Sequence, residues 1–269
     1  MRFTVIHIIV LLCSMDMLGS SRLNESNEIT TCDSIIYQDV IDKGSVKKDV
    51  CLYPFSVHII EKHKSTLQSV NPFDIVQHKS NIDFLCFLHE QGDNKRYLRL
   101  KNKHKKSLLE WSIIHKKENI AHLLVLKSSE QDLTGRCDQD GNNIAHLAAH
   151  DGMSMVFDAL EEKTFDWSIT EKNIFIEKII KHKNNIDETP LFHAIRSNDY
   201  KTIHYLLQYY TVADLNCKNK WGQTALMVAA LYQRNYVSAL LIAKGADAAI
   251  VDSQGNSFKT ICDQNELTS

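Results

Sequence analysis

The sequence predicts an all-α solenoid of stacked helix-turn-helix units with projecting β-hairpin loops, and three observations carry that prediction. A polar residue that can head a helix recurs at Asn71, Ser107, Asn143, Thr189, Thr224 and Ser257, mostly at intervals of 33 to 36 residues. A fixed period of that size marks units too small to bury their apolar faces alone. Each such residue is followed by two runs of apolar residues at helical spacing. With three prolines and nine glycines in 269 residues, the chain has too few turn formers for a many-stranded β fold.

The pattern is cleanest toward the C-terminus. Thr224-Ala225-Leu226 opens a helix, Ala229 and Ala230 follow on one face, and Val237, Leu240 and Leu241 mark a second helix. Gly245-Ala246-Asp247 ends it, and Asp252-Ser253-Gln254-Gly255 leads into Ser257. Upstream, Thr189-Pro190-Leu191 begins the same series, with Ala194, Ile195, Ile203, Leu206 and Leu207 after it. Asn143 heads His146-Leu147-Ala148-Ala149 and Gly152, then Val156, Ala159 and Leu160. Ser107 heads Leu109, Ile113, Ile120, Leu123 and Leu124; Asn71 heads Val76, Phe84, Phe87, Leu88 and Gly92.

Each repeated residue type has a physical task. A hydroxyl or amide at the head of the first helix accepts from its orphan N–H groups. Pro72 and Pro190 fall at the first helical position, where no N–H is needed. Gly92 and Gly245 suit the left-handed end of the second helix, and Gly141, Gly222 and Gly255 a tight hairpin turn.

These residues resemble the ankyrin repeat, whose hallmark is Thr-Pro-Leu-His-x-Ala-Ala, a Gly between helices and Gly-Ala-Asp after them. The resemblance covers residues 71–269 as five full repeats and a truncated sixth. Thr-Pro-Leu survives at Thr189–Leu191 and Gly-Ala-Asp at Gly245–Asp247, while Ser128 and Thr164 stand where the terminal Gly belongs. It implies that His146 ties neighbouring turns by hydrogen bonds, and that hairpin tips and first helices form a concave face holding a folded protein partner. Lys259 gives the last unit the polar face of a terminal cap. Asn143 to Thr189 spans 46 residues; the surplus, around residues 161–183 with Trp167, reads as an insertion.

The N-terminus reads as a secretory signal peptide. Arg2 precedes the apolar run Val5–Cys13, Asp16 interrupts it too early for a membrane span, and Gly19 and Ser21 suit cleavage after Ser21. Residues 22–70, with amphipathic stretches at 34–44 and 54–68, form a helical cap. Asn24-Glu25-Ser26 is a glycosylation acceptor in form. Cys32 and Cys51 are the disulfide pair to test; Cys86, Cys217 and Cys262 read as buried or free thiols.

Composition excludes a dominant nucleic-acid function, because net charge is −2 and the pI 6.7, whereas such binding needs a concentrated positive field. The thirteen histidines are scattered, and no metal, phosphate-loop or nucleophile motif accompanies them. No catalytic, metal or cofactor-binding residue is expected, and the chain is not expected to be an enzyme. The run Lys95–Lys106 is the strongest charge feature. Arg96, Arg99 and Lys103 are its candidates for contact with an acidic protein or an anionic membrane surface. Trp221, beside Gly222 at a hairpin tip, is a candidate interface anchor together with Arg196 and Tyr232. The resulting expectation is a secreted, monomeric protein-interaction module, and its Lys, Asn and Ile usage fits an exported effector of a parasite or microbe. The alternatives are a scaffold held by an apolar membrane anchor and a stoichiometric enzyme inhibitor.

Overall fold

The structure is a computed structural model that describes residues 71–268 apart from Ser80, Gly92 and Asp93. The chain divides into two units, and each is taken by itself. One unit comprises residues 1–70 and 80–92. Its described part is a helix, Asn81–Gln91, on which the buried Phe84 and Phe87 rings lie 5.8 Å apart. The signal peptide with cleavage after Ser21, Asn24, the cap at 22–70 and the Cys32–Cys51 pair lie outside the described residues.

The other unit holds residues 71–79 and 93–269. With Asn81–Gln91 counted as α2, its first helices are α1 (Pro72–His78), α3 (Leu108–Ile114), α6 (Ile144–Asp151), α9 (Pro190–Ser197), α12 (Ala225–Leu231) and α14 (Phe258–Thr268). They stack in that order, each against the next. Its second helices are α4 (Glu118–Lys127), α7 (Met155–Lys163), α10 (Tyr200–Leu206) and α13 (Asn235–Ala243). Every second helix packs on the first helix of its own repeat, and α7 packs broadly on α4. The core is the seam of small and branched residues between the rows. Ile113, Leu124, Ala148, Leu160, Ala194, Ile195, Leu206, Ala229 and Leu241 are all buried there. Alanines let the backbones approach, and the branched chains fill what remains.

The helix starts follow from local chemistry. Asn71 accepts from the Phe73 N–H, Ser107 from Glu110, Asn143 from Ala145 and His146, Thr224 from Met227, and Ser257 from Thr260. Thr189 departs from this, since its buried side chain makes no cap hydrogen bond. Pro190 occupies the first helical position there, presets the backbone angle and removes a donor. At the ends of second helices, Ser128 and Thr164 turn their hydroxyls back onto the Leu124 and Leu160 carbonyls at 2.7 and 2.8 Å. The orphan carbonyls are thereby satisfied without a glycine.

A third helix follows the second in three repeats: α5 (Glu130–Thr134), α8 (Ile169–Ile180) and α11 (Val212–Leu215). Each starts with the same reciprocal cap, pairing Ser129 with Asp132, Ser168 with Glu171 and Thr211 with Asp214. Most of the surplus between Asn143 and Thr189 is the added length of α8, 12 residues against 5 in α5. Its Phe175, Ile176, Ile179 and Ile180 are buried where it lies on α5 and α6.

Candidate protein-binding face

The connections into each first helix are built on one acceptor residue placed five positions before the cap. Asn102, Asp138, Asn184, Asn219 and Asp252 hold that position. The Asn219 Oδ1 accepts from the Trp221 and Gln223 amides, both at 3.0 Å, and Asn184, Asn102 and Asp252 do the same in their loops. Three residues further on, the backbone enters the left-handed region at Lys105, Gly141, Asp187, Gly222 and Gly255. These side chains take up the amides that a strand ladder would use. The expected β-hairpins are therefore tight side-chain-braced loops, and among the described residues β pairing is confined to an isolated bridge between Val251 and Ser257.

The loop tips are joined to one another. The Asn185 N–H donates to the Asp140 carbonyl at 2.8 Å, Lys220 to Ile186 at 3.0 Å and Ser253 to Trp221 at 3.0 Å. Trp221 thus has a backbone fixed on both sides, while its indole is 51% exposed. Gly222, next to it, cannot carry a side chain, because a Cβ there would lie 2.7 Å from the Ser253 nitrogen.

Arg196 and Tyr232 lie near one another beside the first helices, where the Tyr232 hydroxyl helps Glu188 to favour the charged guanidinium. Arg196 is also spoken for internally. Its Nη1 donates to Glu188 Oε2 at 2.7 Å and its Nη2 pairs with Oε1. Glu188 is fully buried and receives a third donor, Asn219 Nδ2, at 3.0 Å. Burial alone would raise this carboxyl's pKa, but Arg196 and Asn219 outweigh it and hold the group below the usual carboxylate range. Trp221 stands apart from the Arg196–Tyr232 pair, on the tip of the loop whose Asn219 reaches Glu188.

Behind this network lies a group of histidine rings. His146 is in edge contact with His182 and His193 at 5.8 and 5.2 Å, and His193 with His150 at 6.1 Å. The His146 Nε2–H donates to the Glu188 carbonyl at 2.9 Å, tying two repeats together. Desolvation pushes the His146 pKa down to about 3. It pushes His193 down to about 4, with Glu188 opposing the shift and Arg196 and His150 assisting it. Both rings are neutral at physiological pH and serve as fixed hydrogen-bonding and packing elements. Glu188, His193 and Asn184 were not legible as site residues; the one signal available was an Asn or Asp five residues before each cap.

The basic run divides in two. Lys95–Arg99 forms a 3-10 turn anchored by buried Tyr97, with Arg96 and Arg99 exposed. Lys103 is exposed at the next loop tip, beside His104, which stacks on Trp111. Lys101 and Lys106 instead pair with buried Glu110 at 2.9 and 3.6 Å, and Lys106 also donates to the Cys137 carbonyl. Burial, aided by Glu110 and Asp138, pushes the Cys137 thiol up to about 12.

Comparison with known proteins agrees with this geometry. Residues 167–252 match the family model for ankyrin repeats, in three copies. The human mitochondrial disaggregase is 38% identical over 77 residues, which is 29% of this chain and 11% of that protein. The rat nuclear factor NF-kappa-B p105 subunit is 25% identical over 163 residues, 60% of this chain and 15% of that protein. The chain therefore matches only a small part of the length of these relatives. Ankyrin repeats mediate binding to protein partners and are typically without catalysis. The described chain is an all-α ankyrin-repeat solenoid, with residues 167–252 matched to the ankyrin-repeat family.

Proposed function

We propose that this chain is an exported protein-interaction module, and that it holds a folded partner on the face made by its loop tips and first helices. The observation that carries this reading is Trp221. An indole half exposed to water on a backbone fixed from both sides is preorganised for burial by a partner, and the ordering cost is already met by the fold. Tyr232, near Arg196, extends the same face. Export rests on the apolar run at 5–13 and the small residues before Arg22, and an effector role in a host on that export.

The test is comparative affinity purification with the full chain and Trp221→Ala. A partner retained by the parent and lost by the variant, with melting temperature unchanged, supports the reading. Equal recovery of every retained protein overturns Trp221 as the anchor. N-terminal sequencing of the purified chain tests export: a start near Arg22 supports it, and an intact Met1 in a soluble cytosolic pool overturns it.

A further inference from the structure

Two of the loop-bracing asparagines also reach back to the repeat before them. Asn184 Nδ2 donates to Asn142 Oδ1 at 2.8 Å, and Asn219 Nδ2 to Glu188 Oε1 at 3.0 Å. Asn142 and Glu188 each stand immediately before a helix cap, at Asn143 and Thr189. Asn102 holds the same loop position, and its Oδ1 braces its own loop in the same way. Immediately before the cap Asn71, however, the chain has Val70, which carries no side-chain acceptor. The Asn102 Nδ2 is buried and meets no acceptor among the described residues.

Asn102 lines a cleft of 490 Å³ between α1 and the loop leading into α3, a volume within the range of ligand sites. All of its lining belongs to one unit of the chain. Phe73, Leu100 and Trp111 give it apolar surface. The Trp111 ring is held between His104, stacked at 5.9 Å, and His115, edge-on at 4.4 Å. Its Nε1–H is a second buried donor that meets no acceptor among the described residues. Lys103 and His104 are exposed at the rim, and Asp74 is the single carboxylate in the lining. Lys101 is taken up by Glu110. Beyond the rim, the run from Lys95 to Lys106 adds exposed Arg96, Arg99 and Lys105 and contains no acidic residue.

We infer that this cleft takes a glutamate or aspartate side chain from a peptide segment of the protein partner. Its carboxylate supplies the oxygen that Glu188 supplies to Asn219 elsewhere in the stack. The inference rests on the partner-binding role proposed above and names the chemistry at one end of that face. A buried donor left unmet favours a ligand that brings an acceptor, and a charged acceptor makes the stronger bond. The surrounding cations favour an anion in the same place. A protruding side chain reaches donors recessed in a cleft, whereas the flat surface of a membrane does not, so a peptide is the occupant that fits.

Arrays of short immobilised peptides, random apart from fixed glutamates, test this against matched arrays with glutamine in those places. The full chain is expected to bind the glutamate set about tenfold more strongly than the glutamine set. Asn102→Asp keeps an acceptor for the loop, as Asp252 does in its own loop, but removes the donor. It is expected to lose that preference with the melting temperature unchanged. Trp111→Phe, which keeps a ring and removes the N–H, is expected to weaken glutamate binding severalfold. Asn94→Asp makes the same charge change at the exposed cap of the 3-10 turn and is expected to bind as the parent does.

Equal binding to the two peptide sets overturns the inference. So does a loss in Asn94→Asp as large as that in Asn102→Asp, which would reduce the effect to diffuse attraction by the basic run. Binding to phosphatidylserine vesicles that Asn102→Asp abolishes, with no peptide bound, overturns it in favour of a lipid headgroup. Trp221→Ala is expected to bind glutamate peptides as the parent does. A chain that retains a folded partner through Trp221 yet shows no glutamate preference overturns this inference alone and leaves the partner face standing.

Discussion

Asn219 donates from its Nδ2 to the fully buried carboxylate of Glu188 over 3.0 Å, so an amide in one repeat satisfies a charge in the repeat before it. Asn184 Nδ2 likewise donates to the side-chain oxygen Oδ1 of Asn142, in the preceding loop, at 2.8 Å. The repeats are therefore held by a polar ladder along the bases of the loops as well as by apolar stacking. Buried polar groups satisfied across a boundary fix the register between units, because slippage would leave each of them without a partner.

The histidines packed behind that ladder make stability depend on pH. His146 and His193 titrate near 3 and 4 when folded, against about 6.5 when unfolded. Between those values the unfolded chain binds more protons, so stability is fully present above about pH 6.5 and falls as pH drops, by up to ~1.4 kcal/mol per pH unit for each ring. Glu188, depressed in the fold, adds its own loss only below about pH 4.3. Denaturant unfolding at a series of pH values from 7 to 4.5 is expected to show a midpoint falling steadily from about 6.5. His193→Gln is expected to reduce that slope by about half. A midpoint that stays flat down to pH 5 contradicts the neutral, desolvated state of both rings.

Gly222 and Gly255 offer a matched pair, since both have positive φ, at 76° and 84°. A Cβ on Gly222 would strike the Ser253 backbone at 2.7 Å, whereas one on Gly255 meets nothing within 4 Å. Gly255→Ala is expected to cost only the left-handed strain, about 1 kcal/mol. Gly222→Ala adds a backbone collision and the loss of the Ser253–Trp221 hydrogen bond, for about 3 kcal/mol in all. Equal melting temperatures for the two variants would show that the loop tips do not brace one another.

What the sequence discloses here is chiefly what is local. The caps at Asn71, Ser107, Asn143 and Thr224 act within three residues of themselves, so residue type at the right spacing reveals them. The Ser129–Asp132, Ser168–Glu171 and Thr211–Asp214 caps are as local, yet the helices they start run to 5, 12 and 4 residues. That variation broke the period and made the longest of them read as an insertion. Glu188 with Arg196 and Asn219, and the histidine rings, depend on which faces meet between repeats, and no spacing along the chain encodes that. Ser128 and Thr164 show one chemistry replacing another: a hydroxyl satisfies the helix end where the repeat pattern wants glycine.

Excising or disrupting α8 is expected to damage the fold and not merely trim a loop. Ile176 is fully buried, and the helix end is tied down where Asn143 Nδ2 donates to the Ile179 carbonyl and the Tyr210 hydroxyl to that of Ile180, both at 2.7 Å. Ile176→Ala is expected to cost about 2–4 kcal/mol, while Ile174→Ala, at a position 65% exposed, should leave the melting temperature within about 1 °C of the parent. Comparable melting temperatures for the two would mean that α8 rests on the stack without stabilising it.

The basic run separates cations that hold the fold from cations that face solvent, and charge reversal reads the difference. Arg96, Arg99 and Lys103 are exposed on the 3-10 turn and the following loop tip. Lys101 and Lys106 neutralise Glu110, whose side chain is only 5% exposed. Reversing Arg96, Arg99 and Lys103 together to Glu is expected to leave stability within about 0.5 kcal/mol, because exposed charges contribute little to folding. It should weaken association with an acidic surface most at low salt, since such attraction is screened over about 10 Å at 0.1 M. Vesicles containing phosphatidylserine and a purified protein partner can be tested side by side across a salt series. Lys106→Glu alone is expected to behave oppositely, placing a second carboxylate beside Glu110 and lowering the melting temperature. If the triple reversal leaves both vesicle and partner association unchanged at every salt concentration, Arg96, Arg99 and Lys103 are a solvated surface and contribute no contact.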